Sequence, residues 1–327
     1  MRKQLIVAFA ILAGLGAAVV RAFSFLREID INPDTGLYNG LITHPGILTN
    51  YILPAVVVLA ALVILIAANL IQTPRRAAEP RVGVLWLFAE FAAAAFFAGM
   101  GVLEFIDGLS GAYARCVYGV LSVFVAVSIV VIALNAFSGK LEPNPRTGLW
   151  ATMPVFWSCF AMIMYFWGHA GQPVLSSYIY GTLAVVCAAL AMFGTAGFYF
   201  RRGKHISTQF FTLMALVLAT LTLGGSLLAQ LLSSGPLHSS AVPGNPHMLL
   251  FGAIIFHMLA IGFGLARGIY DFGVPDNFSK ASVPDEEEPD ESVDEIVAES
   301  FIQKGPETAE NEESDDNAKS ENVDEIP

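Results

Sequence analysis

Chemistry in this 327-residue chain rests on a few ionisable residues lodged in long apolar stretches: Glu90, His257, Glu104 and Asp107. A carboxyl inside hydrocarbon costs at least ~2.5 kcal/mol, so an acid kept there is a functional candidate by default. Glu90 stands seven residues past Gly83, ~10 Å along a helix, and His257 stands ten residues before Arg267, ~15 Å. Their depths from one side nearly agree, so the two are able to meet. Glu104 lies fourteen residues beyond Glu90, a spacing that turns it about 40° around a helix and lifts it ~21 Å. Taken as a line, Glu104 and Asp107 form an outer mouth and Glu90 with His257 an inner station of a polar path for a cation, a proton or an amine. The competing reading makes Glu90 a structural acid, hydrogen-bonded to Asn69, Thr220, Thr222 or Gln230, with Glu104 and Asp107 at the surface.

Other chemistries have little to stand on. H-E-x-x-H, P-loop and C-x-x-C patterns are all missing from the sequence. Cys116, Cys159 and Cys187 fall in apolar stretches without paired or metal-type spacing, which reads as small buried hydrophobes. A b-type haem needs two histidines at one depth on facing helices, whereas His257 sits mid-stretch and His169 and His205 sit at opposite ends. His44, His238 and His247 share one side as a possible metal or pH-sensing group, but histidines in loops are usually solvated. No catalytic residue, metal or cofactor is expected.

The elements that must position these residues are helices. Hydrophobic residues make up 55% of the chain and charged ones 14%, too few for an ordinary soluble domain. Eight stretches near residues 4–21, 51–71, 83–106, 113–136, 149–168, 176–199, 208–231 and 248–267 are long enough to cross ~30 Å of hydrocarbon as helix. They lack the alternation of barrel strands. The fold class is therefore all-α, a polytopic transmembrane bundle of about eight spans over residues 1–270, whose partner is the lipid bilayer. The first stretch follows Arg2 and Lys3 and so also resembles a signal peptide, but Arg21 directly behind it and the lack of an A-x-A site favour a retained helix.

Charge gives the orientation. With the N-terminus inside, Arg2, Lys3, Arg75, Arg76, Arg81, Lys140, Arg146, Arg201, Arg202, Lys204 and Arg267 all fall on the inner side, against Arg21, Arg27 and Arg115 outside. Both termini are expected in the cytoplasm. The net charge of −11 belongs to a tail: residues 271–327 hold 20 acids and 3 bases, leaving 8 acids and 14 bases for residues 1–270. No basic stripe remains for nucleic acid. The tail has too few apolar residues for a core and is expected to be disordered, apart from Val293, Ile296, Val297 and Phe301, whose helical spacing suits an amphipathic segment for a cytoplasmic protein partner.

Two further patterns deserve record. Tyr118-Gly119, Tyr180-Gly181 and Phe251-Gly252 open three of the stretches alike, which suggests a repeated hairpin unit of about 62 to 71 residues. Asp30 to Gly36 imitates a calcium loop but fails where a bidentate acid is needed, at Leu41, and reads as a turn. Arg21, Arg27 and Asp34-Thr35-Gly36-Leu37 resemble the start of a group of uncharacterised multi-pass membrane proteins of Gram-positive gut bacteria. That resemblance covers the first 40 or so residues; it implies a plasma-membrane location and supplies no activity. Two functions remain open: a carrier or channel-like protein for a small polar or cationic solute, and a non-transporting sensor or assembly factor acting through the acidic tail.

Overall fold

A computed structural model of the chain describes residues 2–28, 47–70, 82–141, 143–169, 176–232, 245–270 and 272. Among them the regular elements are all helical: α1 (Arg2–Glu28), α2 (Leu53–Leu70) entered through a wide π-helical turn at Leu48–Ile52, α3 (Val84–Gly108), α4 (Tyr113–Phe137), α5 (Pro145–His169), α6 (Ser176–Tyr199), α7 (His205–Leu232) and α8 (Asn245–Arg267). All eight are long and apolar enough to cross a membrane. Large apolar side chains such as Leu62, Phe88, Val102, Phe124 and Phe193 point outward along the sides of the bundle, which lipid tolerates and water does not. The protein is an integral, multi-pass membrane protein.

Helices α3 to α8 close a ring, each packing on the next and α8 returning to α3, while α1 lies along α7 and α2 rests on α1 and α7 at the edge. Small residues make the close approaches possible. A side chain at Gly119 would begin 2.6 Å from the Gly101 carbonyl, and one at Gly101 would begin 2.8 Å from the Gly119 carbonyl, so α3 and α4 cross backbone to backbone. Gly14 meets Thr220 and Val217 of α7, and Gly225 meets Arg21 and Ala18 of α1. These fits make α1 an integral part of the body. Gly119→Leu is expected to cost ~1–3 kcal/mol through forced separation of α3 and α4, read as a lower melting temperature of the purified protein in nanodiscs.

Local sequence sets the helix ends. The Asn144 side-chain oxygen accepts a hydrogen bond from the Thr147 N–H at 2.8 Å, and Pro145 occupies the first helical position, where its missing N–H costs nothing. Inside α5, Pro154 has no N–H to offer the Trp150 carbonyl four residues back. The Ser128 hydroxyl of α4 donates to that carbonyl instead. At the opposite ends of the even helices one closing turn recurs three times: Lys140 N–H to Asn135, Arg202 N–H to Gly197 and Ile269 N–H to Gly264, each around a residue with positive φ, Gly139, Arg201 and Gly268. The 62 residues from Gly119 to Gly181 are also the 62 from Gly139 to Arg201. The 62-residue spacing is thus shared by both ends of α4 and α6, whereas α8 departs from it: 71 residues separate Gly181 from Gly252 and 67 separate Arg201 from Gly268.

One expectation needs correcting. Arg21 does not sit in a loop: α1 continues seven residues beyond it to Glu28, and Arg21 is buried, with its guanidinium 4.4 Å from the Phe25 ring centre and 5.4 Å from that of Tyr180. The aromatic faces and a buried polar setting let a cation stay within the helix. Cys159 also departs from expectation, because it is exposed on the side of the bundle, whereas Cys116 and Cys187 are half-buried.

Candidate functional site

The inward face of α3 carries Trp86, Glu90, Ala93, Phe97, Gly101 and Glu104, a three- and four-residue spacing that stacks them along one stripe. α8 packs against that stripe and presents Ile254, His257 and Ile261. The result is a contact between residues 167 apart in sequence: His257 Nδ1 lies 3.0 Å from Glu90 Oε2. Glu90 is 3% exposed and His257 7%. At that depth a lone charge is expensive, whereas a carboxyl and an imidazole that share a proton are neutral together whichever of them carries it. Gaining or losing one proton gives the pair a net charge.

Of the other partners weighed for Glu90, Asn69 donates to the Leu65 carbonyl and Thr222 to the Leu218 carbonyl, each within its own helix. Hydroxyls in a helix commonly settle this way.

A cavity of ≈ 20 Å³ adjoins the pair, enough for about one water. Pro154 of α5, Thr195 and Tyr199 of α6 and Tyr270 beyond α8 share its wall with Glu90 and His257. Tyr270 reaches the cavity from beyond the turn at Gly268, whose φ of 74° reverses the chain so that Ile269 and Tyr270 are both buried. The Tyr199 hydroxyl and the Trp86 indole N–H are buried beside it with no hydrogen-bond partner of good geometry. Burial holds the Tyr270 phenol well above its ordinary range; Tyr199 and Glu90 add to the effect and the Trp86 N–H opposes it. Tyr270 therefore remains a neutral donor at any physiological pH.

On the other side an aromatic layer seals the pair. The Phe97 ring meets Trp157 edge-on at 4.7 Å and His257 at 6.2 Å, and Trp157 stacks on Tyr118 at 6.0 Å. The Trp157 indole donates to the Ser122 hydroxyl at 2.9 Å, and Phe97 and Trp157 are wholly buried. Glu104 lies past this layer. It is buried too, with Oε2 lacking a hydrogen-bond partner. Asp107 is different: it is half-exposed and pairs with Arg115 at 3.5 Å, a geometry worth at most ~1 kcal/mol. The four acid and histidine positions thus divide into a joined pair, a buried acid across a dry layer, and a rim ion pair.

Tyr199, Tyr270 and Trp86 were not legible as site residues, since aromatics at helix ends read as membrane-interface anchors. Among the described residues no group of three His, Cys, Asp or Glu side chains converges as metal ligands would. His247 packs against Tyr165 with ring centres 5.6 Å apart. His44, His238, Asp34-Thr35-Gly36-Leu37 and the tail residues Val293, Ile296, Val297 and Phe301 lie outside the described residues.

The fold and this site define a class: a polytopic membrane protein with a carboxyl–imidazole pair enclosed in its interior. No family model, no curated protein and no solved structure matches the chain.

Proposed function

We propose that the protein is a carrier or channel-like protein for a small polar or cationic solute, with protonation of the Glu90–His257 pair coupled to its movement. The observation that carries this reading is the buried pair at 3.0 Å beside a water-sized cavity. A structural acid in a packed interior needs no adjoining space. Tyr199 and Tyr270 share the cavity wall with the pair, and Phe97 and Trp157 pack on the far side of His257, so the polar groups of the proposed path lie between aromatic side chains. Glu104, beyond the aromatic layer, is the next station toward the opposite face. We place the protein in the plasma membrane with both termini cytoplasmic, because Lys140, Arg146, Arg201, Arg202, Lys204 and Arg267 gather at one end of the bundle.

The test is flux. Purified protein in liposomes containing a pH-sensitive dye, driven by an inside-negative potential and offered a panel of monovalent cations and primary amines, is expected to move protons at least tenfold faster than empty liposomes. Glu90→Gln is expected to abolish the signal. Wild-type flux no greater than that of empty liposomes, or full flux in the variant, overturns the reading.

A further inference from the structure

At the basic end of the bundle a groove of ≈ 860 Å³ runs between α5, α6 and α7. Its walls include Val155 and Phe156 of α5, Phe193 of α6 and Phe211 of α7, and Gly194 and Gly197 form its bed. From Leu190 to Phe200 it spans ten residues, ~15 Å. That is half of a ~30 Å hydrocarbon core, the depth of one leaflet. A wholly apolar groove of this kind would suit any lipid chain; its mouth is more particular.

The mouth holds Arg202 and Lys204, both exposed. They stand directly before the first turn of α7, whose leading N–H groups have no carbonyl within the helix to receive them. Cations are normally unfavourable at a helix N-terminus because the macrodipole is positive there. Among the described residues no carboxylate pairs with either one, since the ion pairs are Arg115–Asp107 and His257–Glu90. The Ser207 and Thr208 hydroxyls turn back to the Lys204 carbonyl and supply no negative charge. The preceding turn adds a third irregularity: Arg201 has φ 58°, where the matching turns of α4 and α8 use Gly139 and Gly268. An L-residue in that conformation costs ~1–2 kcal/mol. Two cations, a helix start and a strained arginine thus converge at the head of an apolar groove one leaflet deep. Departures from local rules that coincide in this way mark a functional position.

We propose that this groove binds one anionic glycerophospholipid. The phosphate sits between Arg202, Lys204 and the first N–H groups of α7, and an acyl chain lies over Gly194 and Gly197. Basic pockets between transmembrane helices recognise acidic headgroups in this manner. The bound anion compensates Arg202 and Lys204 and completes the helix terminus.

Native mass spectrometry of the full-length protein tests the site, using equal amounts of dioleoyl phosphatidylglycerol and dioleoyl phosphatidylcholine in the detergent. Wild-type protein is expected to retain phosphatidylglycerol at least fivefold over phosphatidylcholine, and phosphatidylglycerol is expected to raise its melting temperature. R202Q/K204Q removes the preference by removing the headgroup contacts. Val155→Phe fills the groove, leaves every charge in place, and is expected to lose retention as well. Equal retention of the two lipids, unchanged preference in R202Q/K204Q, or the same thermal shift from inorganic phosphate alone overturns the proposal. The last of these outcomes would mean an anion site without a lipid.

Discussion

His257→Ala is expected to destabilise the protein by about 3 kcal/mol, because it leaves the buried Glu90 carboxyl without its hydrogen-bond partner. Glu90 is 3% exposed and its Oε2 is held by His257 Nδ1 at 3.0 Å. Glu90→Ala is expected to cost less, since a neutral imidazole is easier to bury than a carboxylate. The informative variant is the double one. Glu90→Ala with His257→Ala removes both polar groups and is expected to fall short of the summed single costs by ~1–3 kcal/mol. Denaturant or thermal melts of the four proteins in nanodiscs give the coupling directly. Additivity within about 0.5 kcal/mol would mean that the two groups do not depend on one another.

The second large effect is expected at Trp157. This side chain is wholly buried, lies edge-on to Phe97, stacks on Tyr118 and donates to Ser122. In soluble proteins Trp→Ala costs ~3–5 kcal/mol. Between membrane helices the transfer of apolar surface from water contributes little, which leaves the packing part, about 2–3 kcal/mol. A functional consequence accompanies the loss, since Trp157 belongs to the layer between the Glu90–His257 cavity and Glu104. Trp157→Ala is expected to raise passive proton leak through reconstituted protein severalfold. Trp157→Phe keeps an aromatic ring in the layer, loses the indole hydrogen bond to Ser122 and part of the ring volume, and is expected to cost less than Trp157→Ala, about 1–2 kcal/mol. A tight membrane in the alanine variant would locate the barrier elsewhere.

How much of this was legible in the sequence depended on the range of the interaction. The eight helices follow from local hydropathy, and their bounds agree with the structure to within four residues except at the end of α1, while α5, α7 and α8 begin three or four residues before their apolar stretches. There the cation at Arg21 made the apolar run end seven residues early, because nothing nearby in sequence announces that Tyr180, from α6, will cover it. The depth match of Glu90 and His257 was readable from helix rise alone. Their contact was not, since it requires α8 to close the ring on α3. Tyr270 lies beyond the last span, and its place under the cavity depends on the reversal at Gly268. Glu104 and Asp107 looked alike on a helical wheel; packing of α4 buries one and leaves the other with Arg115 at the rim.

The ring also has an order of assembly. Glu90 emerges from the ribosome 167 residues before His257. At ~5–20 residues per second that interval is roughly 8–30 s. Throughout it, α3 has to enter the bilayer with its acid uncovered, and insertion scales charge ~2.5–3.5 kcal/mol for such a residue at the centre of a helix. The last of the described helices is therefore the clasp of the first one in the ring. Until α8 arrives, nascent α3 depends on the insertion machinery or a chaperone for shelter, as α1 does for its buried Arg21 until α6 brings Tyr180.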